Sequence, residues 1–339
     1  MEVSNWKSQA QDWLAALGYP YASIETPMDD RIGLWWDYYR TEADFYTHEQ
    51  QDINGKPHKV KVRSMTPGKM VCEDMAGLLF NERATISTAD DDALKSADDW
   101  LQKWLGDVRF QDRAPQLIQR TCATGTGAWA LHLRGVQTMG KSAMLSVTPQ
   151  RYDARHIAPL DWDGDTCIAC AFVSRVSLRG EPLTQVEVHR PQDNGNYEIM
   201  CRFFGDDGKV VVPDGYTDGS INTKQQAPTF QMITLALDNV YWEFSPFGVS
   251  LFDEAIGALE TTDLAFDNIG NDIFLGKKML MIPSSMMTKN QEGDLMLPQD
   301  EGRQFFVALQ ESNIYDGKAG IVEYNPTLRA EEDALMLSK

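Results

Sequence analysis

The sequence predicts an α+β protein, and three features of the residue pattern lead to this fold class. Amphipathic helical patterns dominate the chain up to about residue 125. Residues 127–240 then carry short β-rich segments, such as "CIACAFVSRV" and "TQVEVHR", separated by turns. One long helical pattern fills most of residues 245–283, and short strand-like segments follow it. We expect a mixed α/β domain, one long helix and a small β-rich module.

Composition limits the functions to consider. A chain of 339 residues with 42% hydrophobic content can bury a full core and divide into domains. The net charge of -19 argues against a protein that holds nucleic acid by neutralising its phosphates. No signal-peptide pattern follows Met1, and no apolar run approaches the length of a membrane span. We therefore expect a soluble, unsecreted protein without a membrane partner.

The first part of the chain reads as helices around one hairpin. Ser4 is placed to cap a short helix that Gly18 ends. A second helix is predicted over "DDRIGLWWDYYRTEA", and the alternation that follows predicts a hairpin with Asn54-Gly55 at its turn. Thr66 then caps a helix that Pro67 opens.

The segment "STADDDALKSADDWLQKWLG" has the clearest helical pattern in the chain. Three aspartates occupy its first turn, where negative charge is favoured, and Gly106 sits where a C-cap belongs. We expect its apolar stripe to be buried: Leu94, Ala97, Trp100, Leu101, Trp104 and Leu105. A further helix is expected over "QDRAPQLIQRTCATG".

The long helix is predicted to start after an N-cap at Ser250 and to run from Leu251 to about Leu275. Its apolar positions recur at helical spacing and predict a packing face: Leu251, Ala255, Leu259, Thr262, Phe266, Ile269 and Ile273. Four acids share a different face: Asp253, Glu260, Asp263 and Asp267. On periodicity alone, this acidic face is also what an ordinary solvated helix surface looks like.

Three strands are predicted after the long helix, in "KMLMIPSS", "RQFFVAL" and "AGIVEYNP". Asn325 and Pro326 then read as the N-cap and first residue of another helix, whose pattern is still running at Lys339.

The motifs that carry chemistry have simpler explanations here. Five cysteines, an odd count, suit a reducing compartment, and Cys167 and Cys170 read as core residues of a strand. The Gly-x-Gly of "TGTGAW" follows a helix and enters a strand, the reverse of a dinucleotide loop. "DWDGDT" lacks the glycine position and the final glutamate of a calcium loop. The five histidines show no metal-ligand spacing. We predict no catalytic, cofactor or metal residues.

Several motifs, taken in their order, resemble portal proteins of tailed bacteriophages, the head-tail connectors, particularly the branch in long-tailed phages of Gram-positive hosts. The similar parts are "KMVCEDMAGLLFNE", "TGTGAWALHL", "SPFGVSLFDEAIGALETTDLAFDN" and "FLGKKMLMIP". They cover about half the chain, mainly residues 66–134 and 244–330. None is a catalytic signature, so the resemblance depends on their joint order.

The resemblance implies a non-enzymatic subunit of a ring, about twelve copies in size, at one vertex of a capsid. It implies a wing over residues 1–245, a stem helix within 246–278 and a clip over 279–325. Residues 326–339 would begin a second stem helix, truncated here relative to portals, so we expect this chain to form less stable rings than a longer one.

The implied function is the packaging and ejection of the viral genome. Double-stranded DNA would pass through the ring without sequence-specific binding. The clip would dock the terminase large subunit and later a head-completion or adaptor protein, and the ring would meet major capsid and scaffold proteins. The protein would be assembled in the host cytoplasm and located in the virion.

If the stem helices surround a tunnel, the four acids are candidates to line it and to repel passing phosphates. We expect Asp263 and Asp267 to tolerate change to Lys without loss of folding, as exposed helical charges do. Two alternatives stay open. One is a phage-encoded nuclease or other DNA-acting enzyme that uses a divalent metal. The other is a multidomain binding protein whose acidic helix is merely solvated.

Overall fold

The computed structural model describes residues 6–20, 26–51, 56–80, 84–88, 94–134, 146–178, 180–213 and 219–275, and five short strands within 279–324. The chain forms two compact units. The first unit comprises Met1–Ala43 and Gly68–Ile256, and the second comprises Asp44–Pro67 and Gly257–Lys339. Helices and several sheets are both present, which confirms the α+β class.

Five helices precede the β-rich region: α1 Trp6–Ala16, α2 Asp29–Arg40, α3 Pro67–Leu79, α4 Lys95–Asp107 and α5 Phe110–Thr124. The predicted opening of α3 at Pro67 is confirmed; a proline at the first helical position loses no hydrogen bond and has a suitable φ. Helix α5 ends at Gly125, whose φ of 80° is a left-handed conformation that glycine adopts without strain. The predicted cap Ser4 and the three aspartates of the first predicted turn before α4 lie outside the described residues, whereas Ser87 and Thr88 of that pattern are not helical.

Residues 126–234 form two antiparallel sheets, as the turn-separated pattern predicts. A three-stranded sheet has the order β11-β3-β4, with β3 Thr126–Arg134, β4 Ser146–Asp153 and β11 Phe230–Thr234. A six-stranded sheet has the order β10-β8-β7-β6-β5, with β9 beside β8. Its strands are β5 Ile157–Asp163, β6 Thr166–Leu178, β7 Glu181–Pro191, β8 Tyr197–Phe204, β9 Val210–Val211 and β10 Gly219–Asn222.

Successive side chains of a strand point to opposite faces of the sheet, and the six-stranded sheet carries apolar side chains on both faces. Both faces are therefore covered. Helix α1 covers one face: Trp6, Ala10, Trp13 and Leu14 pack with strand residues such as Ala171, Val173, Val186, Val188 and Phe204. On the other face, Phe172 contacts Tyr152 and Phe230 of the smaller sheet, with ring centroids 4.8 and 5.5 Å apart. Each such buried side chain contributes about 1.5–3 kcal/mol relative to an exposed one.

The predicted buried stripe of α4 is wrong. No residue of this helix is buried among the described residues, and Trp100 is 63% exposed. Trp100 and Trp104 instead stack on each other, with ring centroids 6.1 Å apart. The helix is amphipathic as expected, but amphipathicity does not specify which element covers the apolar side.

The second unit contains the predicted hairpin, β1 Thr47–Gln51 and β2 Pro57–Lys61, paired in antiparallel register from Thr47↔Lys61 to Gln51↔Pro57. Its turn at Asn54-Gly55 lies outside the described residues. This hairpin groups with the long helix and not with residues 1–43, so the compact units do not follow the expected boundary at residue 245.

The long helix, α6, spans Ile256–Leu275 and starts later than predicted, because residues Asp253–Ala255 form a 3-10 turn. Three strands follow at the predicted places: β12 Met279–Pro283, β15 Phe305–Leu309 and β16 Val322–Tyr324. Strand β12 pairs in parallel with β15 and antiparallel with β16. A separate pair joins β13 Thr288–Lys289 and β14 Leu295–Met296. The helix predicted at Asn325 and Pro326 lies outside the described residues.

One buried carboxylate joins the elements around the 3-10 turn Ala154–His156. Asp153 is fully buried and accepts hydrogen bonds from the Arg155 backbone and guanidinium at 2.9–3.2 Å, and lies 2.9 Å from His156 Nδ1. The Arg155 guanidinium in turn lies 3.4 Å from the Trp36 ring centre, on α2. Trp6 of α1 donates to the Arg155 carbonyl oxygen. Burial would raise the pKa of Asp153, but the His156 and Arg155 contacts outweigh it and hold that pKa well below its usual range.

We expect Asp153→Asn to lower the free energy of unfolding by about 3 kcal/mol, because it leaves the buried side of Arg155 without its counter-charge. Folding lowers the pKa of Asp153, so its ionised form stabilises the wild type above about pH 4, and this contribution is lost as pH falls through the lower folded pKa. Urea unfolding between about pH 5 and 2 should therefore show a shallower pH dependence in the variant. The control is Asp99→Asn, which changes an exposed acid on α4. Equal effects of the two changes would contradict a stabilising role for the Asp153 carboxylate.

Candidate functional site

Two glycines from distant motifs meet backbone to backbone at the end of the first unit. A Cβ added to Gly125 would lie 2.5 Å from the Gly248 carbonyl oxygen, and one added to Gly248 would lie 2.6 Å from the Gly125 oxygen. Gly248 N also donates to Thr126 Oγ1 at 2.9 Å. The Gly-x-Gly of "TGTGAW" therefore receives the chain segment before α6, and not a nucleotide.

The next residues continue this junction. Leu251 N and Ser250 Oγ both donate to the Cys122 carbonyl oxygen at the end of α5, at 2.9 and 3.2 Å. This carbonyl belongs to the last turn of a helix, where carbonyl groups lack helical partners. Ser250 is thus a tether between segments and does not cap α6 as predicted, since α6 begins six residues later.

Asp253, predicted to face a tunnel, is held within the first unit. Its carboxylate accepts from Trp35 Nε1 and from Tyr241 Oη, each at 2.7 Å, and lies 3.9 Å from an Arg31 nitrogen. Its side chain is 9% exposed. The hydrogen bond to Asp253 is the main reason that the pKa of Tyr241 is raised. Because the residue lies in the 3-10 turn and is enclosed by these partners, the expected exposed position is wrong.

Asp263 is fully buried, so its predicted place on an exposed acidic face is also wrong. One oxygen accepts from the Met65 backbone amide at 2.8 Å, and the other from Tyr46 Oη at 2.8 Å and Ser64 Oγ at 2.7 Å. Ser64 Oγ itself accepts from Thr66 N. Three donors satisfy the carboxylate, which is what a buried charge requires. The residue joins the hairpin segment to α6 inside the second unit.

Asp267, one turn further along α6, extends this contact. It accepts from the Arg63 backbone amide at 3.1 Å and from Asn271 Nδ2 at 2.9 Å. Beside it, Gly270 lets the Arg63 guanidinium approach, since a Cβ there would overlap that group. The like charges of Asp263 and Asp267 are therefore separated by hairpin donors, and the expectation that both tolerate Lys is corrected for the buried Asp263.

Glu260 is partly exposed, and its place on a tunnel wall stays a prediction. The predicted packing face is graded in exposure. Leu259 is buried, Thr262, Phe266 and Ile269 are partly buried, and Ile273 is 57% exposed. Ala255 and Leu251 precede the helix, Ala255 exposed and Leu251 partly buried. Within the second unit, it is the acidic side of α6 that the hairpin covers.

The first unit also encloses a polar cluster between its two sheets. His132 Nδ1 lies 2.6 Å from Glu187 Oε1, and His189 Nδ1 lies 2.6 Å from Thr229 Oγ1. Burial, with the nearby His132, lowers the pKa of His189 to about 3, so this ring is neutral at physiological pH. Among the described residues, no group of three or more His, Cys, Asp or Glu is arranged to hold a metal ion.

Three of the five cysteines are core residues, and Cys167 and Cys201 are partly buried. Cys72, Cys122 and Cys170 are buried, and burial raises the pKa of the Cys122 thiol to about 11 and that of Cys72 higher still. Thiols with raised pKa values are poor nucleophiles. Cys167 and Cys170 both lie in β6, as the strand interpretation expects.

No protein-family model matches this sequence, and no curated protein matches it. In the described part of the chain, no helix is long and apolar enough to cross a membrane.

Sequence reasoning missed the pairing of acids with the hairpin because the partners lie far apart in the chain, 217 residues for Tyr46 and Asp263. The one available signal is local. In "RSMTP", just before the helix that starts at Pro67, the Ser64 hydroxyl and the neighbouring backbone amides are hydrogen-bond donors, and such groups need acceptors when they are buried.

We expect Asp263→Asn to destabilise the hairpin contact by about 1–3 kcal/mol, because an amide cannot accept from all three donors. The readout is hydrogen exchange by mass spectrometry on a peptide covering residues 61–67, which should lose protection. Asp272→Asn on the same helix is the matched control. Unchanged exchange in Asp263→Asn would show that the carboxylate does not hold the hairpin.

Proposed function

We propose that this chain is a subunit of a portal-type ring that conducts DNA during viral packaging and ejection. Support comes from the order of elements, in which the β-rich region leads to α6 and then to a small three-stranded sheet. Further support is that two motifs carrying the resemblance, around Gly125 and Gly248, contact each other directly. Because both motifs form the same contact, we expect proteins with this fold to carry the two motifs together.

The observation that carries the proposal is the exposure pattern of α6. The acidic side of the helix is used by the hairpin, whereas the apolar stripe grows more exposed toward Ile273. Leu264 is 45% exposed and lies nine residues before Ile273. Nine residues at about 100° each make about two and a half turns, so the two side chains lie on opposite sides of the helix. A helix with apolar residues on two opposite sides suits a ring, where each subunit has a neighbour on either side.

The conduit role is revised by the same contacts. Asp253 and Asp263 are enclosed and Asp267 accepts from Arg63 and Asn271, so repulsion of phosphates would depend on Glu260 and on the overall charge of -19, repeated around the ring. The proposed partners are the terminase large subunit, a head-completion or adaptor protein, and capsid and scaffold proteins. Location in the virion is part of this proposal. For the nuclease alternative, the described residues offer no metal-binding cluster to name.

Negative-stain imaging tests the ring directly. The wild-type chain should give rings with a central hole, and Ile273→Glu should abolish them, since it places a charge in a subunit contact. Ile273→Val keeps an apolar side chain at the same position and should leave rings intact. A monomer that cuts DNA with magnesium would overturn the portal proposal in favour of the nuclease.

The conduit role has its own measurement. In assembled heads, Glu260→Lys should reduce the amount of packaged DNA, because a ring of added cations would hold phosphates, and the defect should weaken at higher salt. Glu260→Gln, which only removes charge, should package nearly as the wild type does. Full packaging by the Lys variant would mean that Glu260 does not face the DNA.

A further inference from the structure

Phe244 is the most exposed large apolar side chain among the described residues, at 81%. Its φ of 55° places an aromatic residue in the left-handed region, which L side chains rarely adopt. Such strain persists only where the surroundings impose it. A strained and exposed phenylalanine is costly in an isolated chain, which points to a partner.

The loop around Phe244 is fixed from both ends. Trp162 Nε1 donates to the Phe244 carbonyl oxygen at 3.2 Å, and the Trp162 ring packs edge-on against Trp242, with centroids 5.3 Å apart. Asn239 accepts from the amides of Tyr241 and Trp242 and donates to the Phe247 carbonyl at 2.8 Å. The ring is therefore held outward before any partner arrives, which lowers the entropic cost of binding.

A cleft of about 660 Å³ lies elsewhere on the first unit, between the segment 84–88 and the α4–α5 corner. Its apolar lining includes Ile86, Leu105 and Phe110. A cavity on the order of 150 Å³ already accommodates benzene, so a phenylalanine ring fits with room for its neighbours.

Side-chain hydrogen bonds hold the segment 84–88, which forms one wall of the cleft. Gln102 Nε2 donates to the Ile86 carbonyl at 2.7 Å, and Gln111 Nε2 donates to the Ala84 carbonyl at 3.1 Å. Asp98 accepts from the Thr88 amide at 2.8 Å. These bonds tie the segment 84–88 to α4 and α5 at three points and so fix the shape of the cleft between them.

Charge complements shape at the two surfaces. Glu243, next to Phe244, is exposed, and Asp238 lies in the same exposed loop. Arg109 lines the cleft with a side chain that is 75% exposed, and its present partner is the exposed Asp112 at 2.8 Å. A surface ion pair of this kind contributes little and exchanges easily. The acids beside Phe244 would also repel DNA phosphates, so DNA is not the partner of this residue.

We propose that Phe244 of one chain inserts into the 84–112 cleft of a second copy, with Glu243 next to Arg109 at the rim. The contact is head-to-tail, since Phe244 does not itself line the cleft that receives it, and this type of contact can close a ring. The inference deepens the proposed function, on which it rests, by assigning one subunit interface.

Two variants separate the halves of this contact. Phe244→Asn removes the ring while keeping a residue that tolerates positive φ. Gly106→Trp fills the cleft that Gly106 lines, and a Cβ added at this position meets no atom within 4 Å. Leu237→Asn, in the same loop, and Gly106→Ala are the matched controls.

Sedimentation velocity over a concentration series is the test, on the full chain, with circular dichroism to confirm that each variant is folded. Wild type should associate, and Phe244→Asn and Gly106→Trp should each associate roughly 30-fold more weakly, the loss expected for a central aromatic contact. An equimolar mixture of the two variants keeps one intact contact and should give dimers that do not extend. The controls should resemble wild type.

The outcomes distinguish this inference from the proposed function. If wild type is monomeric throughout, or if the mixture behaves like either variant alone, the Phe244 contact is wrong. If both variants form rings as wild type does, the contact is wrong and the ring proposal stands. If the mixture dimerises as expected but wild type gives only open chains at every concentration, the contact stands and the ring proposal falls.

Discussion

The close contact of Gly125 with Gly248 is the constraint on which the organisation of the first unit depends. Each glycine lies where a side chain would collide with the backbone of the other, and Gly125 also needs a positive φ. This contact brings the end of α5 and the start of β3 against the segment that leads into α6. The hydrogen bonds of Thr126 and Ser250 then fix the two segments in register. Only two residues without side chains permit that approach.

Buried carboxylates form the second level of this organisation. Asp253 and Asp263 accept hydrogen bonds from residues distant in the chain, whereas Asp153 holds the neighbouring Arg155, which in turn contacts α1 and α2. An acid without such partners would be too costly to bury, so these contacts select one arrangement of the elements. A chain with 50 acidic and 31 basic residues has many carboxylates, and some of them serve structure and not surface charge.

The functional proposal depends on what these contacts leave exposed. The hairpin uses the acidic side of α6, and the exposed apolar residues Leu264 and Ile273 are then the surface of the helix that is open for assembly. The first unit adds an exposed aromatic residue and an apolar cleft at separate places. Surfaces that differ from each other and complement each other are what a head-to-tail assembly requires, whereas a two-fold dimer would use one surface twice.

The sequence by itself determined the fold class, the helix start at Pro67, the antiparallel strands of residues 126–234 and the three strands after α6. These features depend on local patterns: a proline at the first turn, side-chain alternation and turn residues. Within α6, periodicity grouped the apolar residues from Leu259 to Ile273 on one face, although Leu251, Asp253 and Ala255 of the predicted faces precede the helix. It could not show whether a face is covered, because covering comes from segments far away in the chain. Tertiary structure therefore decided that no residue of the apolar stripe of α4 is fully buried and that Asp263 is, the reverse of what polarity alone predicts. The physical reason is that a charge is stable inside a protein wherever enough donors converge on it.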